Sequence, residues 1–172
     1  MDTRLRKEVV ADFFAHGYRL SGTFDARQRS FGDAIYDRTT DYLTVENAYI
    51  SAIGKPAEIN TSRPLAVIAK NEISFVLIMD ENDALRRDQK YGSYLPPKIV
   101  PVLITLPFFE LQGHLRMPGR LNPKILLGSQ TESFLTVFDV TARTTFDSAI
   151  SFAGAAALIN KVKIGFLGLE ST

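Results

Sequence analysis

Apolar and polar residues alternate in two segments that lie far apart in the chain. In Tyr18–Phe24 the residues at positions 18, 20 and 24 are apolar, and the same places are apolar in Phe109–Leu115. Alternation with a period of two is typical of a half-buried β-strand. A glycine lies on the apolar face of each segment, Gly22 in one and Gly113 in the other. A glycine inside a strand marks a bend, so both segments are predicted to be strongly bent strands.

These two segments belong to an internal repeat. Three sequence blocks recur in the same order at shifts of 91, 92 and 91 residues. The blocks begin at Tyr18, Tyr42 and Ala66 in the first copy and at Phe109, Phe134 and Ala157 in the second. A near-constant shift over three blocks is typical of a duplicated supersecondary unit. We predict a first unit over 1–80, a linker over 81–98 and a second unit over 99–172.

Further strands are predicted after the glycine strand of each copy. Two of them are rich in β-branched and aromatic residues and span Tyr42–Ala52 and Phe134–Thr144. Each copy then ends in two apolar segments around a lysine-containing tripeptide, a pattern that predicts a hairpin. The hairpin strands are Leu65–Ala69 with Ile73–Met79 and Ala156–Asn160 with Ile164–Leu169.

The segment before the first glycine strand allows two predictions. Residues 4–16 place Leu5, Val9 and Phe13 four positions apart, which is the spacing of an amphipathic helix. The equivalent segment of the second copy, 98–107, contains two prolines and several β-branched residues, which favour a strand. By the logic of the repeat we predict a strand over Glu8–Ala15.

A short helical turn is predicted after the glycine strand of each copy. Asn122 followed by Pro123 is typical of an N-cap with proline at the first helical position, and Ser30 is the predicted cap in the first copy. A second helical turn is predicted within the linker, at Asp83–Lys90. Each copy thus contains about five strands and one helical turn, and the predicted fold is all-β, with two tandem small β-barrels.

Composition and charge exclude several classes of function. The net charge is +1, which gives no signal for DNA. The chain has no cysteine, so disulfides, thiolate nucleophiles and cysteine-based zinc sites are excluded. No apolar stretch reaches the roughly 18 residues that cross a membrane. The first eight residues contain no apolar signal-peptide core, so we expect a cytoplasmic protein without a membrane partner.

Three motifs resemble those of Sm-like proteins, a family of SH3-like small barrels. Leu43-Thr-Val-Glu-Asn-Ala48 is similar to the Leu-Val-Leu-Glu-Asp-Ala strand of that family. The segments Ile68–Ile73 and Ile159–Ile164 stand where the family has Ile-Arg-Gly-x-x-Ile, and Gly113-His-Leu115 resembles its Gly-x-Leu strand. The chain also resembles a bacterial domain family of unknown function that has a glycine strand, an Arg-Leu helical turn and an Asn-Lys hairpin.

The Sm-like resemblance implies association into a homo-oligomer, in the form of a ring, and RNA as a ligand. The chain departs from the family at two places. The Asp-x-x-Met-Asn loop that holds an RNA base is replaced by the helical turns after Arg29 and Arg120. The Arg-Gly of the second motif is Ala69-Lys70 in one copy and Asn160-Lys161 in the other.

The cationic side chains that recur in both copies are the candidate ligand-binding residues. Arg29 and Arg120 each follow the bend glycine by seven residues. They are predicted either to hold a phosphate or carboxylate or to bond loop carbonyls and a nearby acid. Lys70 and Lys161 are predicted at hairpin tips, where a lysine either contacts a phosphate backbone or keeps the surface soluble.

The chain contains no recognisable catalytic motif. His114 lies on the polar side of a strand, and neither it nor His16 has a partner at motif spacing. The acidic run from Asp80 to Asp83 lacks the later glycine and glutamate of a calcium loop. We predict no catalytic residue, no metal and no cofactor. The expected function is a non-enzymatic binding or assembly module. The alternative is an enzyme or small-molecule binder that uses a cleft around Arg29, Arg120 and His114.

Overall fold

The computed structural model describes residues 7–85, 97–117, 119, 122–128 and 132–170, and in these residues ten strands form one antiparallel sheet. The strands of the first half are β1 (Glu8–Ala15), β2 (Tyr18–Asp25), β3 (Tyr42–Ala52), β4 (Thr61–Ala69) and β5 (Phe75–Ile78). Those of the second half are β6 (Lys98–Leu106), β7 (Phe109–Met117), β8 (Phe134–Thr144), β9 (Ser151–Asn160) and β10 (Phe166–Leu169). The all-β prediction is confirmed, and β1 has the predicted bounds.

The sheet runs in the order β10-β6-β7-β8-β9-β5-β1-β2-β3-β4. Each half therefore has the same internal order, with its fifth strand beside its first and its fourth strand at the far side. The two halves meet where β5 pairs with β9. The sequence predicted two separate barrels, and the described strands do not form them. Since β5 continues the ladder into the second half, the strands make one open sheet that does not close into a barrel.

The predicted hairpins are the main error in the assignment of strand partners. Within the described residues β4 pairs only with β3, whereas β5 pairs with β1 and β9, and β10 pairs with β6. A 3₁₀ turn over Lys70–Glu72 follows β4, and another over Lys161–Lys163 follows β9. Each turn directs the chain away from the strand it has just left and across to the first strand of the same half.

A β-bulge lies opposite each repeated glycine, because two residues of β3 face Gly22 and two residues of β8 face Gly113. The register between β2 and β3 shifts between Ser21 and Thr23, and the register between β7 and β8 shifts at the equivalent place. Asn47 and Asp139 belong to the two bulges and have positive φ angles of 50° and 52°. Asparagine and aspartate tolerate this left-handed conformation better than most residues. The bulges are thus on β3 and β8, opposite the repeated glycines, and the bend of the glycine strands themselves stays a prediction.

Two short helices follow β2 and β7 as predicted. The helix α1 (Phe31–Tyr36) begins after Ser30, whose side chain accepts a hydrogen bond of 3.0 Å from the Asp33 amide. The helix α2 (Pro123–Leu126) begins after Asn122, whose side chain accepts one of 3.1 Å from Lys124. The linker starts with a 3₁₀ turn over Glu81–Ala84, and the rest of its predicted helical turn lies outside the described residues.

Two hydrophobic cores run across the boundary between the halves. The first contains buried residues of β1, β2, β3, β5 and α1, and it also includes Phe134, Phe138, Ala156 and Leu158 from the second half. The second contains β6, β7 and β8 residues and includes Phe14, Ile53, Phe75 and Leu77 from the first half. Each core is thus completed by side chains that the other half supplies.

Candidate functional site

The two halves join at a buried pair of strands, which we call the central junction. In this junction β5 lies antiparallel to β9, with Phe75 opposite Ile159 and Ile78 opposite Ala156. All four β5 residues and their four β9 partners are buried. The burial of all eight paired residues removes this contact between the halves from solvent.

The outer strands of the sheet, β4 and β10, have the same sequence pattern as the two junction strands. The repeat relates β4 to β9 and β10 to β5. In the described part of the chain, β4 and β10 pair on one side only. Leu65 and Val67 of β4 are 57% and 62% exposed, and Phe166 of β10 is 56% exposed. We call these two strands the free edges. Such edges present unpaired backbone groups that bind a further strand.

An aromatic cluster packs against one face of the central junction. Phe14 stacks on Phe75 with ring centroids 4.3 Å apart, and Phe109 meets Phe75 edge-on at 4.9 Å. Phe75 and Phe109 come from different halves, so this contact ties the halves together. The repeat relates Phe75 to Phe166 and Phe109 to Tyr18, and both of these aromatic residues are exposed.

A cavity of about 390 Å³ lies at one end of the central junction, and we call it the junction cavity. It is lined by both halves, including Tyr36 and Tyr42 from the first and Phe134 from the second. The Tyr36 hydroxyl hydrogen-bonds the Thr136 hydroxyl of β8. The cavity therefore exists only because the two halves are joined.

Asn160 fixes the strand ends beside the junction cavity. Its side-chain nitrogen donates to the carbonyl oxygen of Ile73 at 2.9 Å, and its backbone amide donates to Ser74 at 3.0 Å. Its side-chain oxygen accepts from the Val162 amide at 3.4 Å. Asn160 is buried, and the repeat places Ala69 at the equivalent position. An amide side chain in one copy where the other has a methyl group is a sequence difference that could have indicated this contact between the halves. The sequence analysis did not predict the contact.

Lys70 is a buried structural lysine rather than an exposed tip. Its ammonium group donates to the carbonyl oxygens of Ala34 and Asp37, at 2.6 and 2.8 Å, and to the Thr40 hydroxyl at 2.7 Å. Only 7% of the residue is exposed. Burial lowers the pKa of Lys70, and the nearby Asp37 carboxylate opposes this shift. All three ammonium protons have protein acceptors, so Lys70 anchors the loop after α1.

Lys161 occupies the equivalent position at the start of the second 3₁₀ turn, and it is partly buried. Burial is the main cause that lowers the pKa of Lys161. Its charged neighbours are Glu132, which raises that pKa, and Arg38, which lowers it. Lys161 and Arg38 thus place two cationic groups near each other on the side of the molecule that holds the junction cavity.

Arg29 stabilises the helix that follows it. Its guanidinium group donates to the Asp37 carboxylate at 2.9 Å and to the Asp33 carbonyl oxygen at 2.8 Å. Hydrogen bonds from Thr39 and Arg29 hold the pKa of Asp37 well below its usual range. These contacts correspond to the structural one of the two predicted roles. Arg120 lies outside the described residues.

The two histidines lie at separate places and each has an acidic neighbour. His114 has its Nδ1 atom 3.4 Å from Asp139, and its ring stacks on Phe138 with centroids 6.0 Å apart. His16 hydrogen-bonds Glu72 beside the turn between β1 and β2. Of the residues of the predicted cleft, Arg29 lines a groove beside β3, and His114 contacts Phe138 of β8.

The acidic run in the linker is part of a capped turn. The Asp80 side chain accepts a hydrogen bond of 3.0 Å from the Asn82 amide, and Asp83 pairs with Lys7 at 3.2 Å. Among the described residues, no group of three or more histidines and acidic side chains is placed to hold a metal ion. No helix within those residues is long and apolar enough to cross a bilayer.

No protein-family model, no curated protein and no solved structure matches this chain. The candidate functional surfaces of the molecule are the two free edges, the exposed aromatic residues beside them and the junction cavity.

Proposed function

We propose that the chain is a non-enzymatic assembly module, built as a tandem pair of Sm-like units that associates with its own copies from head to tail. In this association β10 of one copy pairs with β4 of the next. The observation that supports the proposal is the exposure of Val67 and Phe166. Their repeat equivalents, Leu158 of β9 and Phe75 of β5, are buried in the pairing of those two strands.

The central junction supplies a register for this pairing. There Val76 lies opposite Leu158, and Leu77 lies opposite Ala157. Applying the repeat shift of 91 residues to each strand places Leu167 opposite Val67 between two copies. The same shift brings Phe166 of one copy onto Tyr18 of the next, as Phe75 meets Phe109 within the chain. Aromatic anchors of this kind supply much of the binding energy of an interface.

Pairing from head to tail uses two different surfaces of each copy. Such an interface either closes into a ring or continues as a filament. Closure removes both free edges, and exposed edges are a source of aggregation in sheet proteins. A ring of three chains contains six five-stranded units and is the form we propose.

The mass of the protein in solution tests this proposal. We expect sedimentation velocity to give one species of about three times the 19.1 kDa of a single chain. A different closed ring of defined size would support head-to-tail pairing with another number of copies. A strict monomer at micromolar concentration and above would contradict the proposal.

Single-stranded RNA is the second candidate, as a ligand of the junction cavity. The Sm-like resemblance favours RNA, and the cavity combines the exposed Tyr42 ring with Arg38 and the exposed amide side chain of Asn71. Proteins bind unpaired bases by stacking them on aromatic rings and by donating hydrogen bonds to their edges. A cavity with these groups suits one or two bases.

Anisotropy of labelled uridine, adenine and mixed-sequence RNA tests this candidate. We expect an affinity that falls as salt rises, because phosphate contacts release counterions. Arg38→Ala is expected to weaken binding several-fold. Lys55→Ala removes an exposed cation beyond the opposite end of β3 and is expected to change little. The absence of binding to all three RNAs would rule RNA out without affecting the assembly proposal.

A further inference from the structure

One face of β8 is covered by the first half, while the equivalent face of β3 is exposed at Tyr42 and Thr44. On β8 this face consists of Phe134, Thr136 and Phe138. Phe134 and Phe138 belong to the core of the first half, and Thr136 bonds the Tyr36 hydroxyl of α1. The repeat shift of 92 residues relates these three positions to Tyr42, Thr44 and Glu46 of β3.

This face of β3 lines a groove of about 290 Å³, which we call the β3 groove. Its lining includes Phe24, Arg29, Tyr42, Thr44 and Glu46. Tyr42 is 62% exposed, whereas its equivalent Phe134 is only 4% exposed. The groove adjoins β4, so it is continuous with the free edge to which a second copy would pair. A second copy that pairs there would reach the groove with its own second half.

The helix α2 is the element of the second half that corresponds to α1. The two helices align at their capping residues, because the Ala34 amide bonds the Ser30 carbonyl and the Leu126 amide bonds the Asn122 carbonyl. This alignment relates Ile35 to Leu127. Ile35 is buried, while Leu127 is 39% exposed. Ile35 lines the junction cavity together with Phe134 of the other half.

We propose that α2 of one copy lies in the β3 groove of the next copy, with Leu127 against Tyr42 and Thr44. This inference rests on the head-to-tail association proposed above. It adds a second contact to the strand pairing, as α1 adds one to the central junction. Gly128 stands at the position equivalent to Tyr36, so no hydroxyl reaches Thr44 and the contact is apolar. The aromatic ring comes instead from Tyr42 of the receiving copy.

Cross-linking between two single-cysteine variants tests this contact directly, because the natural chain has no cysteine. A Leu127→Cys chain that carries a size tag is mixed with an untagged Thr44→Cys chain, refolded together and treated with a short bis-maleimide. We expect a covalent dimer of one tagged and one untagged chain. Both positions are exposed in the single chain, so neither substitution threatens the fold.

The control pairs the same Leu127→Cys chain with Tyr49→Cys. Tyr49 is an exposed residue near the other end of β3. We expect about tenfold less mixed dimer for this pair, because only thiols held together in the assembly reach a millimolar effective concentration. Equal yields for Thr44→Cys and Tyr49→Cys would overturn the inference.

A third pair, Leu167→Cys with Val67→Cys, reports on strand pairing alone. If this pair forms the mixed dimer and the Leu127 with Thr44 pair does not, the groove contact is wrong and the assembly proposal stands. If neither pair forms it, both proposals fail. If the groove pair alone forms it, α2 docks as we infer but the proposed strand register is wrong.

Discussion

The Phe166→Ser variant is expected to dissociate the assembly into single chains while each chain stays folded. Phe166 is the β10 equivalent of Phe75, whose ring contacts Phe14 and Phe109 inside the molecule. In the assembly its ring would meet Tyr18 of the next copy. Removing a central aromatic anchor typically weakens an interface by about 2–4 kcal/mol, or roughly 30- to 700-fold in the dissociation constant.

The fold of the single chain is expected to survive the Phe166→Ser change. Phe166 is 56% exposed, so little apolar contact within the chain is lost. Far-ultraviolet circular dichroism of Phe166→Ser is expected to match that of the natural chain. Sedimentation velocity at a series of concentrations is expected to show the monomer where the natural chain is associated.

Phe146→Ser is the matched control. Phe146 is 53% exposed and lies in the loop between β8 and β9, away from both free edges. Both variants remove one exposed phenyl ring, so a general effect of surface hydrophobicity would appear in each. Equal dissociation by the two variants, or an assembly that Phe166→Ser leaves intact, would show that β10 is not the contact surface.

The strands of this protein are largely predictable from the sequence, but their partners are not. Alternation gave the faces of β2 and β7, because it depends only on neighbouring residues. The block around Val67 on β4 and the block around Leu158 on β9 are almost the same sequence. Val67 is exposed, whereas Leu158 is completely buried. Apart from Ala69 in one block and Asn160 in the other, no local pattern distinguishes them, since the difference lies in which strand pairs alongside.

The contacts of single residues in the candidate site are also only partly predictable from the sequence. Lysine at a tight turn is ordinarily exposed, and the sequence gives no reason to expect otherwise for Lys70. Its three acceptors belong to Ala34, Asp37 and Thr40, which are at least thirty positions away. They converge only when α1 has packed onto the sheet. A structural role for Arg29 was predictable, because its hydrogen bond to the Asp33 carbonyl oxygen joins residues that are close in the chain.

The two bend glycines are equivalent in sequence but differ in the room that their surroundings leave. A Cβ atom added at Gly113 would lie 2.7 Å from the Phe138 carbonyl oxygen and 2.7 Å from a methyl group of Val137. At Gly22 the nearest atoms would be the Val45 Cβ at 3.2 Å and the Glu46 carbonyl oxygen at 3.3 Å. The first set of contacts requires the backbone of β8 to move, whereas the second requires only a small local adjustment.

Gly113→Ala is therefore expected to lower the free energy of unfolding by about 3 kcal/mol, and Gly22→Ala by about 1 kcal/mol or less. For a chain of this length the larger loss corresponds to a fall of roughly 6–12 °C in Tm. Urea denaturation in the Phe166→Ser background measures both values without a contribution from association. Equal losses for the two variants would mean that the bulge at Gly113 is no tighter than the bulge at Gly22. A larger loss at Gly113 would show that the pairing of β7 with β8 leaves no room for a side chain at this position. The repeat alone makes the two glycines equivalent, so this difference comes from the packing around them.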